Sequence, residues 1–340
     1  MGEGYQMHGR SKTPGLPGRM PTMPKILLVR LSSMGDVIHN FPAVTELAQH
    51  FPEAELHWVV EEGFAALPAL HPAVSRVIPI ALRRWRKSIF QRSTRQEIAD
   101  VRRTLQGTHY DLVIDSQCLI KSALVARLPG APVAGMDWPS SREHLASLLY
   151  HRRIAAPWSL HAVERYRLLT AGTMGYTSSG PVDYGMRAPD INLPWRSASP
   201  YAVFLTATSR DDKLWPEADW VALGLRLIGK GLGLVLPWGN PTEQARAQRI
   251  AAALPGAVVA PKMSLGEAAR LLADAQVAVG VDTGLAHLAA AVNTPIAAIY
   301  TSTDPSATGV LAAQHAINLG GIGFSPDVDT VYAAVEALLA

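Results

Sequence analysis

Lys25-Ile-Leu-Leu-Val-Arg-Leu31, followed by Ser32-Ser-Met-Gly-Asp36 and an amphipathic stretch from Val37 to His50, decides how this chain folds. An apolar run without strict polar alternation reads as a strand covered on both faces. A glycine-centred turn then leads into a helix. The second half repeats the arrangement: Gln276-Val-Ala-Val-Gly-Val281, then Asp282-Thr-Gly284, then Leu285-Ala-His-Leu-Ala-Ala-Ala-Val292. Strand, tight turn and helix start is the unit with which α/β folds bind ligands beyond the carboxyl ends of their strands. Two such units in tandem predict a cleft that holds a substrate from either side.

The same alternation surrounds both units. Strands are expected at 56–61, 74–80, 110–116 and 133–136, with a helix over 120–127. Between Thr177 and Pro200 the periodicity fades and Pro181, Pro189, Pro194 and Pro200 accumulate, as in an interdomain connection. The pattern then restarts, with strands at 201–207, 233–238, 258–260, 277–281 and 296–300. Helices are expected at 220–228, 242–253, 265–273, 285–292 and 327–339. A mid-chain composition break with a restarted pattern favours two doubly wound α/β domains over a closed barrel. The expected boundaries are an extension at 1–22, a first domain at 23–178, a linker at 179–200, a second domain at 201–325 and a terminal helix at 326–340.

Composition agrees with this reading. A chain of 340 residues, 48% apolar, exceeds one comfortable core and excludes a disordered or fibrous protein. No apolar run reaches the roughly 18 residues of a membrane span. The Gly/Pro-rich first twenty residues lack the apolar core of a signal peptide, and Met20 and Met23 each precede a plausible start of the folded part. A single cysteine, Cys118, rules out an internal disulfide and fits a reducing compartment. The net charge is only +3, yet residues 81–103 carry an excess of six positive charges. That segment attracts phosphates or is a solvated helix face. One aromatic among its cations, Trp85, is thin support for nucleic acid.

Several residues are placed for chemistry. Asp36 follows Gly35 in the first turn of a helix, where unpaired N–H groups favour its charged form; it is either a capping aspartate or a general base. The turn Asp282-Thr283-Gly284 opens a helix whose N–H groups can face a pyrophosphate, with Asp282 ordering the turn or binding through a cation. His287 is a ligand or a core histidine. After the strand at 201–207, the hydroxyls of Thr208 and Ser209 and the cation of Lys213 form a diphosphate clamp or a charged surface turn. Glu243 can take a ribose diol or cap a helix. With one Cys and no His-Glu-x-x-His, metal chemistry has weak support, and no Gly-x-Ser-x-Gly elbow indicates a hydrolase.

With these residues in hand, the chain resembles the ADP-heptose–lipopolysaccharide heptosyltransferase family. The resemblance runs from about Lys25 to the final helix. It is carried by Ser32-Ser-Met-Gly-Asp-Val-Ile-His39, Trp58-Val-Val-Glu-Glu-Gly-Phe64, Arg83-Arg-Trp-Arg-Lys87, His161-Ala-Val-Glu-Arg165, Thr208-Ser-Arg-Asp-Asp-Lys-Leu-Trp-Pro-Glu217 and Val281-Asp-Thr-Gly-Leu-Ala-His287. The second and third runs point to members that add the first heptose. Ser209 stands where relatives often have a second threonine, and Tyr300-Thr-Ser-Thr-Asp-Pro305 lacks their usual Gly-Pro.

The resemblance implies a GT-B fold, two Rossmann-like domains facing across a cleft, with the C-terminal helix returning toward the first domain. It implies inverting transfer of L-glycero-D-manno-heptose from the ADP-sugar to the first Kdo of Kdo2-lipid A, with no essential metal or other cofactor. Asp36 becomes the base. Thr208, Ser209, Lys213, Thr283 and Gly284 meet the phosphates, Asp282 and His287 help hold the donor, Glu243 takes the ribose and Met263 lines the adenine pocket. Arg83, Arg84, Arg86 and Lys87 are then expected to recruit the phosphorylated lipid at the cytoplasmic face of the inner membrane. Neither nucleic acid nor an obligate protein partner is expected. The alternatives are a second-heptose or other sugar-nucleotide transferase, and a non-catalytic nucleotide- or anionic-lipid-binding module.

Overall fold

The computed structural model describes residues 23–196, 200–312 and 315–340. The expected N-terminal extension and residues 197–199 of the expected linker lie outside the described residues. Two six-stranded sheets, parallel throughout, organise the chain. The first contains β1 (Lys25–Val29), β2 (Glu55–Glu61), β3 (Val74–Ile80), β4 (Leu112–Asp115), β5 (Val133–Met136) and β6 (Arg152–Ile154), in the order β3-β2-β1-β4-β5-β6. The second contains β7 (Tyr201–Leu205), β8 (Gly233–Leu236), β9 (Val258–Val259), β10 (Val277–Val281), β11 (Ile296–Tyr300) and β12 (Ala316–Gly320), in the order β12-β11-β10-β7-β8-β9.

Both sheets therefore have one topology, and each reverses its strand order once: at β1/β4 in the first and at β7/β10 in the second. In an open parallel sheet that reversal opens a crevice beyond the carboxyl ends of the strands. Asp36 follows β1, and Asp282 follows β10. The fold thus puts both quoted turns at switch points.

Alternation along the strands sorts side chains between two cores. On β7, Tyr201, Val203 and Leu205 join the large core shared with the first domain, while Ala202 and Phe204 face the second core. On β11, Ile296, Ala298 and Tyr300 divide from Ala297 and Ile299 in the same way.

The structure differs from the sequence reading in several places. The helix expected over 37–50 is two, Met34–Ile38 and Phe41–His50, with Pro42 in the first turn of the second. Strands β6 and β12 were not expected; each is an edge strand, largely half-exposed, so neither shows an apolar run. The helix Ala162–Met174 was also not expected. It buries Arg165 and Arg167, polar residues that hide its inward faces, and it ends at Gly175, whose φ of 84° is left-handed. Arg167 Nε donates to Glu46 Oε1 at 3.0 Å and ties this helix to Phe41–His50.

The C-terminal helix Val328–Leu339 corrects one expectation. It packs on its own domain, burying Val331, Ala334 and Val335 in the second core beside Trp220, Leu223 and Leu227, rather than returning to the first domain. The outer face of the second sheet, partly covered by Trp220, Leu223 and Leu227, has room for a further apolar cover, and this helix begins only a few residues beyond β12. Arg226–Asp329 at 2.6 Å and Lys230–Glu336 at 2.8 Å fasten its exposed side.

Candidate active site

Because every strand is parallel, every loop that leaves a strand end lies on the same rim of its sheet. On the first rim, Asp36 sits at the third position of the helix Met34–Ile38, and its two oxygens have different duties. Oδ2 accepts from the Ser33 N–H at 3.0 Å and the Ser33 hydroxyl at 2.9 Å, which makes it a cap. Oδ1 lies 2.7 Å from Arg30 Nη2 and 3.5 Å from the Tyr166 hydroxyl. Arg30 is buried; it donates to the Ser116 carbonyl at 2.6 Å and to Tyr166 Oη at 2.7 Å. Burial pushes the Asp36 carboxyl up, but Arg30, His39 and the Ser33 bonds together outweigh it and bring the pKa down to about 2.

Asp36 lines a cavity of about 310 Å³. Its walls include Arg30, Arg142, Arg165 and Trp158 from the first domain, with Thr308 from the second. The Arg165 guanidinium stacks 3.6 Å over the half-exposed Trp158 ring and donates to the Ser140 carbonyl at 2.6 Å. Asp36 is the single acid among the lining residues. Such a pocket suits an anionic sugar beside one carboxylate.

On the second rim, Thr208 and Lys213 converge on the Asp282 turn. Thr208 donates to the Asp282 carbonyl at 2.7 Å, and Lys213 Nζ lies 2.6 Å from Asp282 Oδ2. Thr303 Oγ1 donates to the same oxygen at 2.8 Å. Asp282 therefore orders the turn and parks the lysine. Ser209 is exposed in the same loop, and Thr283 is the N-cap residue of the helix Gly284–Ala291. Glu243 accepts from the Gly239 N–H and the Asn240 side-chain amide, both at 2.7 Å, so its carboxylate closes the loop after β8. Met263 lies in the loop after β9, half-buried against the shared core.

The two rims interlock. A Cβ at Gly35 would stand 2.9 Å from the His287 ring, and one at Gly284 would stand 2.7 Å from the Met34 side chain. Each glycine is where the opposite domain's side chain enters, a close approach that no other residue permits without displacement. His39 Nε2 meets His287 Nδ1 at 3.2 Å across this seam, and the His161 ring lies 5.5 Å from that of His39. Burial, foremost, pushes the His287 pKa down to about 4, and His39 is also lowered, chiefly by burial and then by His287. Burial thus favours the uncharged form of both rings.

The expected lipid-recruiting cluster lies elsewhere. Arg83, Arg86 and Lys87 line a different cavity, and Arg84 is held by Glu62 at 3.0 Å and Glu97 at 2.9 Å. Sequence reasoning missed Arg30, Tyr166, Thr303 and the wall of Trp158 and Arg165. Arg30 was visible as a charge at the end of an apolar strand; the others come from segments distant in sequence. Among the described residues, no group of three or more His, Cys, Asp or Glu side chains could hold a metal ion.

Comparison with known proteins places this geometry. Residues 98–334 match the model of glycosyltransferase family 9 (heptosyltransferase). Lipopolysaccharide heptosyltransferase 1 of Salmonella typhimurium is 48% identical over 288 residues, covering 84% of this chain and 90% of that protein. Its counterpart from Pseudomonas aeruginosa is 46% identical over 298 residues, covering 87% and 83%. The solved structure of the E. coli heptosyltransferase WaaC with ADP superposes with a TM-score of 0.86 at 43% identity, covering 92% of this chain and 99% of that one. The same enzyme with ADP-2-deoxy-2-fluoro heptose gives 0.80 at 42% identity, covering 92% and 98%. The two facing parallel-sheet domains are the GT-B fold, and the chain belongs to glycosyltransferase family 9, the heptosyltransferases.

Proposed function

We propose that this enzyme transfers L-glycero-D-manno-heptose from ADP-L-glycero-β-D-manno-heptose to the first Kdo of Kdo2-lipid A, with inversion at the anomeric carbon. The observation that carries this reading is a lone, ionised carboxylate in an arginine-lined pocket that meets a phosphate-type turn across the domain seam. The Asp36 pocket takes the acidic acceptor sugar, and the second rim takes the ADP-sugar. The acceptor hydroxyl attacks the anomeric carbon as the bond to the diphosphate oxygen breaks. Its proton passes to Asp36, and the electron pair leaves with ADP. Lys213, the Thr208 hydroxyl and the N–H groups that open the helix Gly284–Ala291 meet the charge that grows on the leaving group. A retaining route through a covalent intermediate would need a second, closely placed carboxylate nucleophile, and this pocket has none among its described lining residues.

Turnover of ADP-heptose with Kdo2-lipid A, set against its mono-heptosylated product as acceptor, tests the assignment. Transfer to Kdo2-lipid A alone is the expected result. Equal or preferential use of the heptosylated acceptor would identify a second-heptose enzyme, and absence of turnover with either would leave another sugar-nucleotide transferase or a binding module.

Arg30 sets the pH response. In Arg30→Gln, burial acts on Asp36 with its main counter-charge removed, so the carboxyl rises from about 2 toward and beyond its ordinary 3.8. The acid limb of kcat/KM should therefore move to higher pH. The sign for stability is the same: the pair's contribution is complete above the unfolded carboxyl pKa of about 3.9 and is lost as pH falls through about 2. A pH–rate profile unchanged in the variant would remove Arg30 from this role.

The cations at 83–87 support recruitment of the phosphorylated lipid at an anionic membrane face. With Arg84 tied to two glutamates, Arg86 and Lys87 are the informative pair. The double variant Arg86→Glu/Lys87→Glu should raise the acceptor KM and leave ADP-heptose affinity unchanged. Salt should weaken acceptor capture by the unaltered enzyme, because exposed charges are screened over about 8 Å at physiological ionic strength. Equal acceptor kinetics at low salt would show that these cations serve solubility alone.

A further inference from the structure

The loop after β7, residues 206–216, carries three of the groups assigned to the diphosphate: Thr208, Ser209 and Lys213. The two hydroxyls precede the turn Asp211–Lys213, and the cation ends it. A clamp of this kind works only if the loop holds a fixed span between them. Its own backbone does not impose one. Among the described residues, its internal backbone bonds are Lys213 N–H to the Arg210 carbonyl at 3.2 Å and Leu214 N–H to the Asp211 carbonyl at 3.1 Å. Both close the turn, and neither joins the ends of the loop.

One side chain from another element does join them. Arg246, on the helix Pro241–Ala252, donates through Nε to the Thr206 carbonyl at 3.1 Å and through Nη2 to the Trp215 carbonyl at 2.5 Å. Its third nitrogen, Nη1, donates at 3.0 Å to Oε1 of Glu217, the first residue of the helix Glu217–Gly229. Thr206 and Trp215 are fully buried, so each carbonyl needs a donor from within the protein. A planar guanidinium meets two carbonyls and a carboxylate at set spacings, whereas an ammonium is a point. The Arg246 side chain is 13% exposed; burial, foremost, lowers its pKa, and Glu217 opposes that shift.

The far side of the loop is held separately. Thr208 donates to the Asp282 carbonyl at 2.7 Å, and Thr301 Oγ1 donates to the Asp212 carbonyl at 2.8 Å. Arg246 therefore holds the base of the loop while these bonds hold its tip. It also lies one turn beyond Glu243, the residue assigned to the ribose, on one helix. Ala247 and Ile250 bury that helix in the second core and Asn240 caps it, so its place does not depend on Arg246.

We propose that Arg246 is a positioning residue for the donor: by tying both ends of the loop 206–216, it sets the separation of Thr208 from Lys213 at which a diphosphate is gripped. It acts through protein atoms and not on the substrate. The inference rests on the donor site given under Proposed function and names what keeps the phosphate side of that site in register with its nucleoside side.

Calorimetric binding of ADP and of adenosine to Arg246→Met separates this role from a general loss of structure. ADP affinity should fall about tenfold, since misplacing a clamp by about 1 Å is enough for an effect of that size. Adenosine affinity should be unchanged, because the helix that carries Glu243 keeps its core contacts. With ADP-heptose, kcat/KM should fall in step with ADP affinity while the acceptor KM stays where it was. In a Lys213→Ala background, Arg246→Met should lose most of its effect on ADP, a coupling that independent sites do not show. Arg246→Lys keeps a cation beside Glu217 but cannot span both carbonyls, and should weaken ADP about fivefold with adenosine again unmoved.

Equal losses for ADP and adenosine would overturn the proposal, as would full ADP affinity in Arg246→Lys, or effects of Arg246→Met and Lys213→Ala that simply add. Should Arg246→Met fail to fold, the lysine variant decides by the same contrast of ADP with adenosine. If ADP binds the unaltered enzyme no more tightly than adenosine does, the diphosphate site fails and the proposal fails with it. Tight ADP binding that neither Arg246 variant disturbs overturns the proposal alone.

Discussion

Replacement of Asp36 by alanine should lower heptose transfer by about 10²- to 10⁴-fold, the usual cost of a lost general base, while ADP-heptose still binds. The separation follows from placement: Asp36 lines a cavity built almost wholly by the first domain, whereas the loops proposed to meet the phosphates belong to the second. With a pKa of about 2 the carboxylate is a weak base, fully ionised at neutral pH. It suits a reaction in which the hydroxyl proton becomes acidic only as the bond to the anomeric carbon forms. Alanine also leaves Arg30 buried beside an empty place, although the Ser116 carbonyl and Tyr166 still accept from it. Asp36→Asn retains an oxygen for Arg30 and separates catalysis from folding. Calorimetric ADP-heptose binding with turnover of the same preparations is the decisive measurement, and near-normal turnover in either variant would remove Asp36 from the role.

Lys213→Ala should cost about 3 kcal/mol of transition-state stabilisation, roughly a hundredfold or more in rate, and should weaken ADP-heptose binding as well. The structure gives the lysine one partner, and the proposed donor site adds a second. Its ammonium sits on Asp282; on the proposed reading, an arriving diphosphate competes for it. Removal therefore deletes a cation and exposes the Asp282 carboxylate, held then by Thr303 alone, to the incoming phosphates. The second effect can be undone. Lys213→Ala/Asp282→Asn should recover part of the donor affinity lost by Lys213→Ala, a coupling that a double-mutant cycle reads directly. If donor titration and kinetics are unmoved by Lys213→Ala, the lysine is a surface cation that orders a turn. Lys213→Arg need not restore function, because a planar fork presents its donors differently from an ammonium.

Much of this enzyme is legible in one dimension. The runs Ile26–Val29 and Val277–Val281 are apolar throughout, as a doubly covered sheet requires, so their strand character and parallel setting are legible from composition. The glycine turns after them are local events, and local chemistry announces them: Asp36 behind Gly35, and Thr283 before Gly284. What the sequence by itself determined is therefore the two-domain α/β plan, the two switch-point turns and the residues within them.

Only the tertiary structure decided what those residues share. Arg30 and Tyr166 are 136 positions apart, yet both approach one oxygen of Asp36, and no spacing rule connects them. Asp282 reads in sequence as a residue that orders its turn or binds through a cation; only the fold names the partners, bringing Lys213 and Thr303 to its carboxylate from two other loops. Gly35 and Gly284 look like turn glycines in sequence, but the domain seam gives each a second reason, because His287 and Met34 occupy the space a Cβ would need. The edge strands β6 and β12 and the resting place of the terminal helix depended on which apolar face remained to be covered. Periodicity reports that a segment has an apolar face; which surface receives that face is settled only when the sheets exist.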